Sequence, residues 1–164
     1  THLLINESDL NEGGLAMSVG RICVRDVDLA DPSESVVHAA ERMNQRAVGT
    51  LVVLDGDSQP VGIVTDRDLV ERVLATRRNA YTTTVGEVMS ANPKTVAEEE
   101  SIEAALALMR SSRIRRLPVT NREGQLVGLL SLDDVLMLLA EEFTQVGRLL
   151  ERETPSGVAA ESVP

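Results

Sequence analysis

The chain has 164 residues, a formal charge of -10 and two aromatic residues, Tyr81 and Phe143. An excess of 26 carboxylates over 16 cations is the wrong sign for wrapping a phosphate backbone, and the shortage of aromatic platforms argues against binding single-stranded nucleic acid. One cysteine and two histidines exclude a disulfide framework and a zinc cluster, and no apolar run or leader points to a membrane or to export, so a metal-free protein in a reduced, cytoplasmic setting is expected.

Residues 1–17, with Glu7, Asp9, Glu12 and Gly13-Gly14, read as a loosely held extension. Beyond them the chain repeats itself. Shifted by 66 positions without a gap, Ser18-Val19-Gly20 falls on Thr84-Val85-Gly86, Glu34-Ser35 on Glu100-Ser101, and Met43 on Met109. In the same register Leu51 meets Leu117, Val53 meets Val119, Val61-Gly62 meets Val127-Gly128 and Asp68 meets Asp134. The repeat predicts two copies of one supersecondary unit, at 18–83 and 84–153, and leaves a tail at 154–164 whose prolines and glycine read as disordered. Residues 1–16 and 141–164 together hold -6 of the -10 charge, so the centre is only mildly acidic.

Within the first unit a short strand is expected near Val27–Leu29. Asp31-Pro32 then predicts a helix start, with Val36, Ala40, Met43 and Ala47 on one face. Leu51–Leu54 and Val61–Val64 flank Asp55-Gly56-Asp57 as a hairpin, and a helix carrying Leu69, Val70, Val73 and Leu74 follows. The second unit repeats the order: a strand near Thr95–Val96, then a helix through Ile102, Leu106, Met109 and Arg113 behind the acidic run Glu98–Glu100. A hairpin around Asn121–Gly124 and a final helix complete it. That last helix carries Leu132, Leu136, Leu139, Phe143, Val146 and Leu150 at alternating spacings of four and three. Its first half is expected on the chain's own core, and the stretch from Phe143 onward against a second copy. Cys23 aligns with Met89 and reads as a buried small hydrophobe, and His38 is assigned no chemistry.

Both units end their second strand alike, in Gly62-Ile63-Val64-Thr65-Asp66-Arg67-Asp68 and Gly128-Leu129-Leu130-Ser131-Leu132-Asp133-Asp134. A hydroxyl residue followed three positions later by an aspartate is the pattern of a capping box. An ionised aspartate at a helix start can also accept two hydroxyl donors, as a ribose diol offers them. Both readings stand on the spacing alone.

Taken with the tandem repeat and with Arg115-Arg116-Leu117-Pro118-Val119 ahead of the second hairpin, this ending resembles the cystathionine-β-synthase (CBS) domain family over residues 18–150. The resemblance implies an α+β fold in which two βαββα units pair across a pseudo-two-fold axis, followed here by an extended C-terminal helix. It further implies clefts that sense adenosine-containing ligands, and homodimers. On that basis Ser131 with Asp134, and Thr65 with Asp68, are expected to hold ribose hydroxyls. Arg115 and Arg116 are expected to reach phosphates, and Arg67 to serve the first copy, which carries Gly49 and Thr50 at the arginine positions. Thr95 and Val96, and by symmetry Asp28 and Leu29, would edge the base, gripped between aliphatic side chains such as Val96, Ile114 and Leu130. No dinucleotide fingerprint, phosphate loop or nucleophile elbow is present. The expectation is a non-enzymatic sensor needing no cofactor, with AMP, ADP, ATP or S-adenosylmethionine as regulatory ligand. The alternative is an interaction module with degenerate clefts that works through dimerisation.

Overall fold

The computed structural model describes residues 17–153; residues 1–16 of the expected extension, and the tail, lie outside the described residues. After a 3-10 turn at Val19–Arg21, the first unit comprises β1 (Leu29–Ala30), α1 (Val36–Arg46), β2 (Thr50–Leu54), β3 (Pro60–Thr65) and α2 (Asp66–Leu69), whose helix continues as a π turn over Val70–Leu74. The second comprises α3 (Val85–Val88), β4 (Ser90–Ala91), β5 (Val96–Ala97), α4 (Ile102–Ser112), β6 (Arg116–Thr120), β7 (Leu126–Ser131) and α5 (Leu132–Glu153).

The hairpins are antiparallel and share one register: Val52 faces Ile63 across β2 and β3, as Pro118 faces Leu129 across β6 and β7. β1 and β5 each add to their hairpin in parallel. The units are joined by an exchange. β4 of the second unit completes the first sheet through Ile63 and Ser90, and Val24 makes the corresponding bridge to Leu129. Further down, Ser18 bridges Ser101 while Ser35 bridges Thr84. The amides of Val19 and Gly20 donate to the carbonyls of Glu100 and Glu98 at 2.8 and 2.9 Å, and those of Val85 and Gly86 donate to Glu34 and Pro32 at 2.9 and 2.8 Å. Each of these contacts recurs after a 66-residue shift, which is the pseudo-two-fold axis in backbone terms.

The cores are exchanged too. Val19 and Cys23 are buried in the second unit's core with Val96, Ile102, Met109, Leu117 and Leu130, while Val85 and Val88 are buried in the first with Val36, Met43, Leu51 and Val64. Gly62 and Gly128 make room for this. A Cβ on Gly128 would stand 2.6 Å from the Cys23 Sγ, and a Cβ on Gly62 would collide with the Met89 Sδ. The pairing of Cys23 with Met89 thus has a packing reason, and burial pushes the Cys23 thiol above its ordinary range, with a nearby Arg25 pulling the other way. Both aromatics are exposed, so the described core is wholly aliphatic.

Two helix expectations are corrected. α1 starts at Val36 behind Ser35, whose Oγ accepts the His38 amide, and not at Asp31-Pro32. The Pro32 and Glu34 carbonyls are taken by Gly86 and Val85 across the repeat, while Asp31 closes a turn on Ser33. The buried face of α1 is Val36, Ala39 and Met43; Ala40 is exposed, and Ala47 is a left-handed cap at φ 54°, mirrored by Arg113 at 55°. On α5, Val135 is buried and Leu132 and Leu138 pack on the core, whereas Leu136 and Leu139 are already exposed. The apolar seam therefore leaves the core at Leu136, about two turns earlier than expected.

Candidate functional site

A cleft of about 330 Å³ lies between the units. The second unit supplies Arg116, Leu129, Ser131 and Asp134; the first supplies Val24, Asp26, Val27, Asp28 and the turn from Ala47 to Thr50. The side-chain alternation of β7 decides which of its residues face the cleft. Leu129 and Ser131 share that face, and Leu130 is fully buried in the core behind it.

At the end of β7 the chain turns into α5. One carboxylate oxygen of Asp134, Oδ2, accepts the Ser131 amide and hydroxyl, each at 2.7 Å, and the Asp134 amide donates to the Ser131 Oγ at 3.1 Å. This is a complete capping box. It uses only half of the carboxylate: among the described residues, Asp134 Oδ1 meets no donor and no cation. The capping and diol readings therefore coexist, on different oxygens of one side chain.

Three more groups define the cleft chemically. Arg116 makes no hydrogen bond or ion pair with any described residue. Thr50, 5% exposed, buries a hydroxyl that has no hydrogen-bond partner among the described residues. A buried polar atom left unpaired costs about 1–3 kcal/mol, so it marks either strain or a place made for a ligand atom. Asp26 and Asp28 are held by the Arg46 guanidinium at 2.7 and 2.9 Å, which neutralises much of the acidic edge. The walls are aliphatic: Val24, Val27, Val48 and Leu129.

Thr65 and Asp68 form the same box in the first unit. Asp68 Oδ2 accepts the Thr65 amide at 2.9 Å and its hydroxyl at 2.8 Å. The other oxygen differs, because Arg72 Nη2 lies 3.1 Å from Asp68 Oδ1.

The remaining expected residues are placed elsewhere. Arg67 points to solvent and pairs with Glu71 at 2.6 Å, and the exposed Arg115 reaches Asp133 at 3.5 Å. Thr95 is exposed, Val96 is buried in the second core and Ile114 packs against it. None of these lines the Ser131 cleft, because the exchange between units sets the Ser131–Asp134 pair against the first unit's wall. Shifted by 66 positions, Ile114 becomes Val48, which does line it. Thr50, the repeat partner of Arg116, was not singled out from the sequence as a site residue; that alignment was its one available signal.

The model of the CBS domain matches residues 19–75 and 85–141. A protein of Methanopyrus kandleri is 33% identical over 123 residues, covering 75% of this chain and 63% of that protein, so the chain spans less than two thirds of that relative. Among solved structures, CBSX2 in complex with AMP is 27% identical with a TM-score of 0.65, over 76% of this chain and 97% of that one. A CBS domain pair in complex with 5'-methylthioadenosine and S-adenosyl-L-methionine shares the fold at 24% identity, with a TM-score of 0.70 over 77% and 98% of the two chains. Among the described residues no helix is long and apolar enough to cross a membrane.

Proposed function

The chain belongs to the CBS domain family and carries two such domains in tandem, and from that premise we propose that it is a non-enzymatic regulatory module binding an adenosine-containing ligand in the Ser131–Asp134 cleft. The observation that carries this reading is the carboxylate oxygen of Asp134 left over from capping. It borders the same cleft as the orphaned Thr50 hydroxyl and the unpaired Arg116. A ribose diol would donate to Asp134 Oδ1, Arg116 would meet an anionic group on the 5' side, and the Thr50 hydroxyl would gain its missing partner. The base would lie against Val24, Val27, Val48 and Leu129, with backbone near Asp28 at its edge. The AMP complex of CBSX2 supports the ligand class, which here extends to ADP, ATP and S-adenosylmethionine.

A ligand held this way touches both units at once. It would favour whichever mutual orientation closes the cleft, and a partner or a second copy sensitive to that orientation would read the occupancy as a change in affinity.

The second reading, an interaction module acting through dimerisation, is favoured by α5. Leu136, Leu139, Phe143, Val146 and Leu150 are all exposed along it, with Phe143 at 74%. Contiguous apolar surface of this kind marks an interface, and a homodimer through α5 is compatible with either reading.

A thermal-shift screen with AMP, ADP, ATP, NADH and S-adenosylmethionine separates them. A specific ligand at 100 times its Kd stabilises by about 2.7 kcal/mol, whereas no shift with any of the five leaves the interaction module. Truncation after Glu141 should halve the mass per particle in light scattering; an unchanged mass removes the α5 dimer.

A further inference from the structure

We propose that Arg72 is a built-in occupant of the second cleft and holds ligand binding at one molecule per chain. This rests on the reading of the Ser131–Asp134 cleft given above. Because the units repeat, the place of a second cleft follows from the first, position by position. Val24 and Asp134 line the first, and their equivalents 66 residues away are Ser90 and Asp68. The Arg72 guanidinium lies between those two equivalents. Its Nη2 is 3.1 Å from Asp68 Oδ1 and donates to the Ser90 Oγ at 3.0 Å, while its Nη1 donates to the Val88 carbonyl. It takes the very carboxylate oxygen that Asp134 keeps available.

The residue equivalent to Arg72 is Leu138, which packs on the second core and offers Asp134 nothing. The helices differ at the same place. α5 runs as an unbroken α-helix through Leu138, whereas the helix after Asp68 opens into a π turn over Val70–Leu74, with the Ala75 amide donating to the Val70 carbonyl at 2.9 Å. Such turns shift the phase of a helix and recur at functional sites.

An isolated, partly exposed ion pair contributes little. Here one planar guanidinium reaches three acceptors on three elements, a geometry that lysine could not reproduce. It is also tethered, so a diol competing for Asp68 faces an intramolecular rival at an effective concentration on the order of millimolar or above. With the guanidinium removed, Lys94, Arg113 and Arg115, which stand at the positions of the lining residues Asp28, Ala47 and Gly49, would give the second cleft a basic rim. AMP is therefore the probe to use.

Calorimetric titration of the full chain with AMP tests the proposal, using Arg72→Leu because the repeat itself places leucine there. The wild type should bind one AMP per chain, Asp68→Asn should leave that affinity unchanged, and Asp134→Ala should weaken it by at least about tenfold. Arg72→Leu should bind two. Two sites in the wild type, loss of affinity in Asp68→Asn, or a single site in Arg72→Leu would each overturn the proposal. If the wild type takes up no AMP, the pairing is decided in unliganded protein by urea unfolding. Arg72→Leu and Asp68→Asn together should then change the unfolding constant by less than the product of their separate effects, by at least about twofold. Effects that simply multiply would dismiss Arg72 as an occupant.

Discussion

The two units end in the same motif and are joined by matching backbone bridges, yet their aspartates end in different states. Asp134, which lines the cleft, has one oxygen on the helix cap and one that meets no described partner, while Asp68 has one on the cap and one on Arg72. The rims differ as well: Asp26 and Asp28 beside the first correspond to Asn92 and Lys94, and Ala47 and Gly49 to Arg113 and Arg115. The repeat dictates the framework, because the bridges Val24 to Leu129 and Ser90 to Ile63, and Ser18 to Ser101 and Ser35 to Thr84, are made in both copies. It does not dictate the sites. A residue four positions beyond the motif, arginine in one copy and leucine in the other, separates an available carboxylate from an engaged one.

The largest expected effect comes from removing the available carboxylate. Charge-assisted hydrogen bonds contribute about 1.5–3 kcal/mol, so Asp134→Ala should cost at least about tenfold in ligand affinity, with Asp134→Asn as a control that keeps an acceptor for the cap. Equal losses from Asp134→Ala and Asp68→Ala in calorimetry would break the comparison, since it requires the second to be nearly silent. Next is the pair of glycines under the exchanged sulfur atoms. Gly128→Ala should destabilise by about 1–3 kcal/mol through overpacking, because its Cβ meets the short Cys23 side chain and the Val24 carbonyl at 3.0 Å. Gly62→Ala should cost less, since it meets the flexible Met89; urea denaturation checks the order.

Thr50→Val sharpens the comparison from another side. Removing an unpaired buried hydroxyl should raise the stability of the unliganded protein by about 1 kcal/mol while weakening the ligand severalfold. A loss of stability would mean the hydroxyl is already satisfied.

The smallest effect is acidic. Hydrogen bonds from the Thr84 amide and hydroxyl hold the Glu87 carboxyl below its ordinary range. Its contribution is therefore complete above that ordinary range and is lost as pH falls through the lowered native value. Glu87→Gln should flatten the acid limb of the stability curve, and an unchanged limb would deny the cap that role.

Much of the fold was legible because the unshifted 66-residue register, the two hairpins and the Thr/Ser-x-x-Asp endings are local patterns. What escaped was non-local. Asp31-Pro32 has the chemistry of a helix start, but the Pro32 and Glu34 carbonyls serve the other unit. β4 spans two residues and exists only as the partner of β3. The expected base wall of Val96, Ile114 and Leu130 belongs to the same unit as Ser131, whereas the cleft joins opposite units; strand alternation already placed Leu130 on the core side. Arg67 and Arg115 came with the family resemblance; the first turn of α2 carries Arg67 to solvent beside Glu71, and Arg115, in the turn between α4 and β6, reaches Asp133 instead. Arg72 lies one helical turn after Asp68, where only its mismatch with Leu138 could have drawn attention.

The central claim, that the Ser131–Asp134 cleft binds an adenosine-containing ligand through the spare oxygen of Asp134, is tested most directly by calorimetric titration of the full chain and of Asp134→Ala with AMP, ADP, ATP, NADH and S-adenosylmethionine. The account predicts that at least one of these binds the wild type and that Asp134→Ala weakens it by about tenfold or more. No binding by any of the five, or equal affinity in the two proteins, would contradict it.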